Sequence, residues 1–461
     1  MNQSTSDDFF RWERDSMGTV KVPKDAYYGS QTQRAVNNFF NSGIKPPAAL
    51  IHALALIKYY AARVNKQLSL LDDKLAGAIG SAAQEVLEGR WDDQFVVDLF
   101  QTGSGTSTNM NMNEVLASRA NEILTGAKGG RSPVHPNDHV NLGQSSNDVM
   151  PAALHVAAAV GIKNELQPAL AHLHRQLNEK AAAFKGVRKI GRTHLQDAVP
   201  MSLGDTFSGF TRQIELALDR IEAAMPRLTE LALGGTAVGS GLNTHPEFAA
   251  HVISGISRHS GLPFKEAANH YEAQAAQDAI VETSGALKTV AVSLVKIAND
   301  IRLLGSGPRC GIGELKLPAL QPGSSIMPGK VNPVIPEAVI QIAYQVMGND
   351  TTITLAGQSG TFELNVTLPL LAHNVLASIG LLAGAATMFA DKCIKDLQAD
   401  RVQCEAYIEK SLALVTALVP HIGYDRAADL AKKAYSEGKT VRQAALDEKI
   451  LSEEKLHELL G

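Results

Sequence analysis

Four short stretches are far richer in hydroxyls, amides and glycines than the chain around them. They are QTGSGTSTNMN (101–111), HPNDHVNLGQSSND (135–148), GRTHLQDAVP (191–200) and GSSIMPGKVNP (323–333). Each lies beside a segment with helical patterning, and the first turn of a helix leaves backbone N–H groups unpaired, where an anion is welcome. Helix capping selects the same residue types, so any one of these loops read alone is first a cap. Four of them in one chain describe a site that grips a small anion with many hydrogen-bond donors and few full charges. Lys330 supplies one such charge. His194, in Arg-Thr-His-Leu-Gln-Asp, has a cation and an acid close by in sequence and suits an acid–base role.

The spacing excludes several familiar chemistries. A phosphate-binding Walker loop needs four residues between its first glycine and the Gly-Lys pair, then Ser or Thr. Here five residues separate Gly323 from Gly329, and Val331 follows Lys330. Neither Gly103-Ser-Gly105 nor GGTAVGSG (234–241) has dinucleotide-binding spacing. There is no G-x-S-x-G elbow, although Ser324, His194 and Glu337 keep a serine hydrolase on the page. No second histidine stands three to five residues from His194, so zinc is not expected there.

These loops need a scaffold. Charged residues are 20% of the 461 and aromatics only 5%, a composition that favours closely packed helices over an aromatic-rich β-sandwich. The formal charge of −4 does not point to nucleic acid or an anionic membrane. Cys310, Cys393 and Cys404 are too few and too scattered for a disulfide framework or structural zinc, as in a reducing cytoplasm. No secretory or mitochondrial signal is read in the N-terminal segment, which carries Asp7, Asp8, Glu13 and Asp15, and no membrane span is expected. Residues 48–66, 72–89, 109–124, 147–183, 203–231, 334–357, 364–390, 401–418 and 424–437 carry helical patterns. The clearest helix is 272–304, where Ile280, Leu287, Leu294 and Ile301 recur every seven residues with Thr283, Val290, Ile297 and Leu304 as a second row. Such a seam predicts a rod of roughly 50 Å that needs long partners, from its own chain or from sister chains. Three segments are expected: a mainly helical N-terminal domain (1–145), a central long-helix bundle (146–363) and a small helical C-terminal domain (364–461).

Taken together, the motifs resemble the fumarase/aspartase superfamily. They run in order through FQTGSGTSTNMNMNEV (100–115), HPNDHVN (135–141), QSSND (144–148), KIGRTHLQDAVP (189–200), ELALGGTAVGSGLNTHP (230–246), SGPRCGIGE (306–314), GSSIMPGKVNP (323–333) and FELNV (362–366). Within that superfamily His194, Gly329 and the GSGTS stretch resemble class II fumarases more than aspartases, which typically carry Gln at the first position, Ala at the second and GAGTS at the third. The resemblance implies an all-α fold in a homotetramer, with five long helices per subunit forming a twenty-helix core and each active site drawn from three subunits. It implies a cytoplasmic enzyme of the tricarboxylic acid cycle that hydrates fumarate reversibly to L-malate without metal or cofactor. An aspartase-type ammonia-lyase is the alternative. A non-catalytic helical scaffold is a further reading, against which the unbroken site motifs speak.

The resemblance also assigns roles. Ser324 matches the base that takes the C3 proton, His194 the residue that activates water, and Glu337 the partner that orients His194. Thr106, Asn147, Thr193, Lys330 and Asn332 match ligands of the substrate carboxylates, with Ser104, Gly105, Ser145, Ser146 and Ser325 around them. Arg131, His135, Pro136, Asn137 and Asp138 match a second anion site, altered here by Ser132 where relatives often carry a basic residue. Leu368 replaces another basic residue and is expected to affect only packing or surface.

Overall fold

The structure, a computed structural model, describes residues 9–460; the acidic pair Asp7 and Asp8 lies outside the described residues. The fold is all-α: among the described residues the strands form only five two-stranded sheets. The chain divides into two compact units, one of residues 1–168, 219–291 and 344–383, the other of residues 169–218, 292–343 and 384–461. The helices Leu203–Leu228, Asp278–Leu304, Val334–Gly357 and Leu368–Phe389 each contribute residues to both.

Local rules account for several helix ends. Asp72 caps Asp73–Leu87 by accepting from the N–H groups of Lys74 and Leu75, the standard relief for unpaired first-turn donors. Thr106–Thr125 is bounded at both ends by left-handed glycines, Gly105 and Gly126. Ser146–Gly161 opens on a reciprocal capping box between Ser145 and Asp148, then continues through a wider turn, Ile162–Leu166, into Gln167–Ala183.

The expected 272–304 rod is broken. A short helix, His270–Ala275, ends at Ala276, whose backbone is extended, and Asp278–Leu304 then runs for 27 residues, about 40 Å. Gln274 is fully buried and donates to the Thr236 carbonyl. Gly360 lies so close that a Cβ there would sit 2.3 Å from the Ala275 oxygen. These tertiary contacts outweigh local helical preference at the joint. The seam itself is buried within the single chain, from Ile280 through Leu287, Leu294 and Ile301, so self-association has to use other faces.

Two further expectations need correction. Residues 191–200 are not a loop against a helix but the centre of a β-hairpin, Arg188–Thr193 with Gln196–Ser202. The helix expected over 401–418 stops at Lys410 and gives way to a tighter 3₁₀ segment, Leu412–Leu418, headed by the Ser411 cap. One helical stretch, Leu368–Ile394, is long and apolar enough to cross a membrane, but 61% of its most apolar window is buried inside the protein, as in a core helix.

The C-terminal helices enclose their own core of Ile408, Leu414, Leu418, Leu430, Ala434 and Val441, and Ile190 of the hairpin is part of it. That insertion ties the strand leading to His194 into a folded body. In Asp278–Leu304, Leu287→Ala should cost about 2–5 kcal/mol, because neighbours around a fully buried leucine collapse only partly into the cavity. A lowered denaturant midpoint with unchanged secondary structure checks this.

Candidate active site

In the first unit two helix starts present the hydroxyls and amides that the sequence reading expects to meet carboxylates. Ser104 is buried and its Oγ lies 2.9 Å from Thr106 Oγ1. Gly105, at φ +75°, turns the chain into the helix, and a side chain there would be strained in backbone and meet Met150. Gly103 is held more tightly still: a Cβ would fall 1.7 Å from the Val366 oxygen. The Gly103 carbonyl accepts from the Leu368 N–H at 2.9 Å, so Leu368, which is buried, also fastens this loop through its backbone.

At the second start the Ser145 N–H donates to Asp148 Oδ1 at 2.9 Å, and Ser145 Oγ accepts from the Asn147 N–H at 3.2 Å. Asp148 is fully buried and its Oδ2 also accepts from the N–H groups of Gly234 and Thr236, both at 3.0 Å. Burial nonetheless pushes its pKa up, against the pull of these donors. Asn147 Nδ2 donates to the Ala237 carbonyl at 2.8 Å. The helix macrodipole adds partial positive charge at both starts.

The residues expected to form a second anion site, also in this unit, are linked to one another by hydrogen bonds. Arg131 Nη2 donates to Asn137 Oδ1 at 3.2 Å. His135 Nδ1 accepts from the N–H groups of Asn137 and Asp138 at 3.2 and 3.1 Å, next to Pro136. Asp138 Oδ2 lies 3.3 Å from the same nitrogen and pulls the other way, toward the charged ring. Burial, helped by the nearby Arg131 charge, lowers the His135 pKa below its ordinary 6.5.

In the second unit, residues 323–333 form a loop closed on itself. The Gly323 N–H donates to the Lys330 carbonyl at 2.7 Å. Asn332 Nδ2 donates to the Gly323 carbonyl, and Lys330 Nζ to Asn332 Oδ1, each at 2.7 Å. Ser324 Oγ accepts two backbone N–H groups, from Met327 at 3.0 Å and Ile326 at 3.2 Å. Ser325, Ile326 and Lys330 are exposed, and Ser324 is half-buried. Glu337 lies half-buried in the first turn of Val334–Gly357. Thr193 and His194 are exposed at the hairpin tip. His194 and Leu195 have φ of +55° and +60°, the left-handed pair of a tight two-residue hairpin turn. Within this unit no hydrogen bond or ion pair joins His194 to Glu337. The hairpin is held from beneath by Glu314, fully buried, whose Oε1 pairs with Arg192 Nη2 at 2.9 Å and whose Oε2 lies 3.5 Å from Lys189 Nζ. Arg192 also lies over the Tyr407 ring at 5.3 Å.

The supporting residues Glu314, Asp148 and Lys58 escaped the sequence reading. Lys58, within the apolar run ALALIKYYAA, carried one available signal: a lone charge on a stripe that should be buried. Among the described residues no cluster of three or more His, Cys, Asp or Glu side chains is arranged to hold a metal.

Comparisons with known proteins meet this geometry. Residues 18–348 match the family model described as "Lyase", and residues 414–461 match "Fumarase C C-terminus". A "Fumarate hydratase class II" from Nitrosomonas europaea is 57% identical over 439 residues, 95% of each chain. A "Fumarate hydratase, mitochondrial" from Danio rerio is 52% identical, covering 99% of this chain and 91% of its own. The crystal structure of a class II fumarase from Schistosoma mansoni superposes with a TM-score of 0.95 at 43% identity, over 98% of both chains. Lyase-family membership is the first level that these matches define. The chain belongs, within that family, to the class II fumarate hydratases.

Because the neutral His135 ring holds the 135–138 turn, its contribution is complete above its unfolded value of 6.5 and is lost as pH falls through the lower folded value. His135→Ala should therefore destabilise by about 1–2 kcal/mol at pH 8, two neutral hydrogen bonds' worth. The gap from wild type should narrow at pH 5 in paired thermal melts.

Proposed function

We propose that this protein hydrates fumarate reversibly to L-malate, a hydro-lyase reaction. The reading rests on one observation: kinship to fumarate hydratases along 95% of both chains, with the residues of all four polar loops in place. The ammonia-lyase alternative has less support, since the relatives above are named hydratases.

The difficult step is moving a proton at the carbon next to a carboxylate, through a dianionic aci-carboxylate. It needs a base on one side, an acid–base group at the hydroxyl, and donors aimed at the growing charge. In the malate-to-fumarate direction Ser324 takes the C3 proton. A free hydroxyl is too weak a base for this, so its alkoxide needs stabilising. Two backbone N–H groups already converge on Ser324 Oγ, and Lys330 brings a positive charge to the same loop. His194 holds the water that leaves C2 or attacks it, with Glu337 orienting the ring. Thr106, Asn147, Thr193, Lys330 and Asn332 bind the two carboxylates, supported by Ser104, Gly105, Ser145, Ser146 and Ser325. Lys330 spends one of its three N–H groups on Asn332, which leaves two for a substrate carboxylate. The exposed 323–333 loop acts as the lid. The cluster of Arg131, His135, Pro136, Asn137 and Asp138 serves as a second, entrance anion site.

The working form is a homotetramer whose sites take loops from three subunits, which brings Glu337 of one chain to His194 of another. Exposed apolar side chains on the long helices favour such an assembly: Val292, Tyr344 and Leu355 are each more than half exposed on the single chain. Free cysteines, one of them exposed, suit a cytoplasmic setting.

The test follows the loss of fumarate absorbance with purified protein in EDTA, with and without ammonia. Loss in water alone with L-malate as product is expected, and loss only with ammonia would overturn the reading. Ser324→Ala should keep its oligomeric state and lose about 10²–10⁴-fold in kcat, the usual range for a removed general base.

A further inference from the structure

Lys58 is fully buried in the Ala48–Gln67 helix, where a leucine or methionine would pack at no electrostatic cost. An ammonium taken from water is costly unless it is well paired, so stability does not explain its presence. Its contacts do. Nζ donates to Asn141 Oδ1 and to Gln144 Oε1, each at 2.9 Å, two side chains of the turn that leads directly into Ser145, Ser146 and Asn147. Asp148 acts on it from the helix that follows, opposing the desolvation that lowers its pKa to about 7. Both of its hydrogen-bond partners are oxygens, so Nζ donates to them in either protonation state.

A donor-only contact has consequences that run outward. With its oxygen turned to Lys58, Asn141 also receives Nδ2 of Asn109 at 3.2 Å and of Asn113 at 3.1 Å, while its own Nδ2 goes to the Gln144 carbonyl at 3.1 Å. Three donors on one oxygen leave Asn109 no choice of flip. Its Nδ2 reaches Ser146 Oγ at 3.1 Å, and its Oδ1 is left buried without a partner. Turned over, the amide would set its oxygen against that of Asn141, so the network imposes this orientation even though it leaves the Asn109 oxygen unpaired. Ser146 Oγ, already accepting from Asn109, must aim its own O–H elsewhere.

We propose that Lys58 is a positioning residue that sets the donor direction of the site: through Asn141 and Asn109 it obliges the Ser146 hydroxyl to donate to a bound carboxylate rather than accept from the protein. The inference rests on the reading of residues 145–147 as carboxylate ligands. It predicts a defect in anion binding, because a Ser146 hydroxyl free to point inward no longer meets the substrate.

Lys58→Met, Ser146→Ala and the double variant decide it, assayed in both directions with fumarate and with L-malate. In a folded Lys58→Met protein, KM for both substrates should rise about tenfold while kcat changes less than about threefold, the pattern of lost uniform binding. A merely structural lysine would lower the melting temperature and the active fraction but leave KM alone. In the Ser146→Ala background the same substitution should shift KM less than about twofold, since both act through one hydroxyl. Additive effects, or an unchanged KM in Lys58→Met, overturn the proposal. Should Lys58→Met not fold by circular dichroism and size exclusion, Asn109→Leu breaks the same chain one link further on and is judged by the same cycle. Wild-type protein that fails to hydrate fumarate in this assay counts against the proposed function. Wild-type activity with additive variants counts against the network alone.

Discussion

The buried carboxylate of Asp148 is the interaction on which the helix start at Ser145–Asn147 depends. One oxygen takes the Ser145 N–H and so completes the capping box. The other takes the N–H groups of Gly234 and Thr236, fastening a turn distant in sequence to the same helix start. A lone buried carboxylate would be costly. Three backbone donors, and a lysine in the same cluster, make it tolerable and convert that cost into geometry. Remove it and the 145–147 segment loses the reciprocal half of its cap and the two backbone ties to Gly234 and Thr236, keeping only the Asn147 contact to Ala237.

Glu314 serves the hairpin in the second unit in a similar way. It is wholly buried, yet its two cationic neighbours, Arg192 and Lys189, both lie on the Arg188–Thr193 strand. The same strand buries Ile190 in the C-terminal core. A strand held by an ion pair and an apolar residue can carry an exposed, left-handed tip at His194 without the tip wandering. The 323–333 loop has the opposite character. It is largely exposed, its polar groups are paired with one another, and none of its residues is fully buried, features of a segment of low local stability.

The fold was legible wherever local rules act alone. Residues 334–357 and 424–437 are helices at the boundaries that patterning assigns, because proline or glycine punctuates their ends and the apolar period between them is unbroken. It was illegible where a distant contact decides. The break at Ala276 depends on Gly360 and on buried Gln274, and nothing near residue 276 announces it. The hairpin at 191–200 was read as a loop because its tip is His194-Leu195 rather than Asn-Gly, and side chains that rarely adopt left-handed backbone hide a turn from a reader of residue types.

By itself the sequence determined the chemistry: which hydroxyls, amides and charges are present, in what order, and hence the family and its all-α frame. Those are properties of residue type and spacing, and spacing survives without coordinates. Only the tertiary structure decided how each donor is aimed. Ser324 is named by its motif, but which N–H groups converge on its oxygen is seen only in the fold. Lys58 stands as a lone charge in an apolar run, and only the fold shows that it is buried against Asn141 and Gln144. Hydrogen bonds are directional and desolvation depends on everything within a few ångströms, so the direction of a donor is a property of its neighbours and not of its place in the chain.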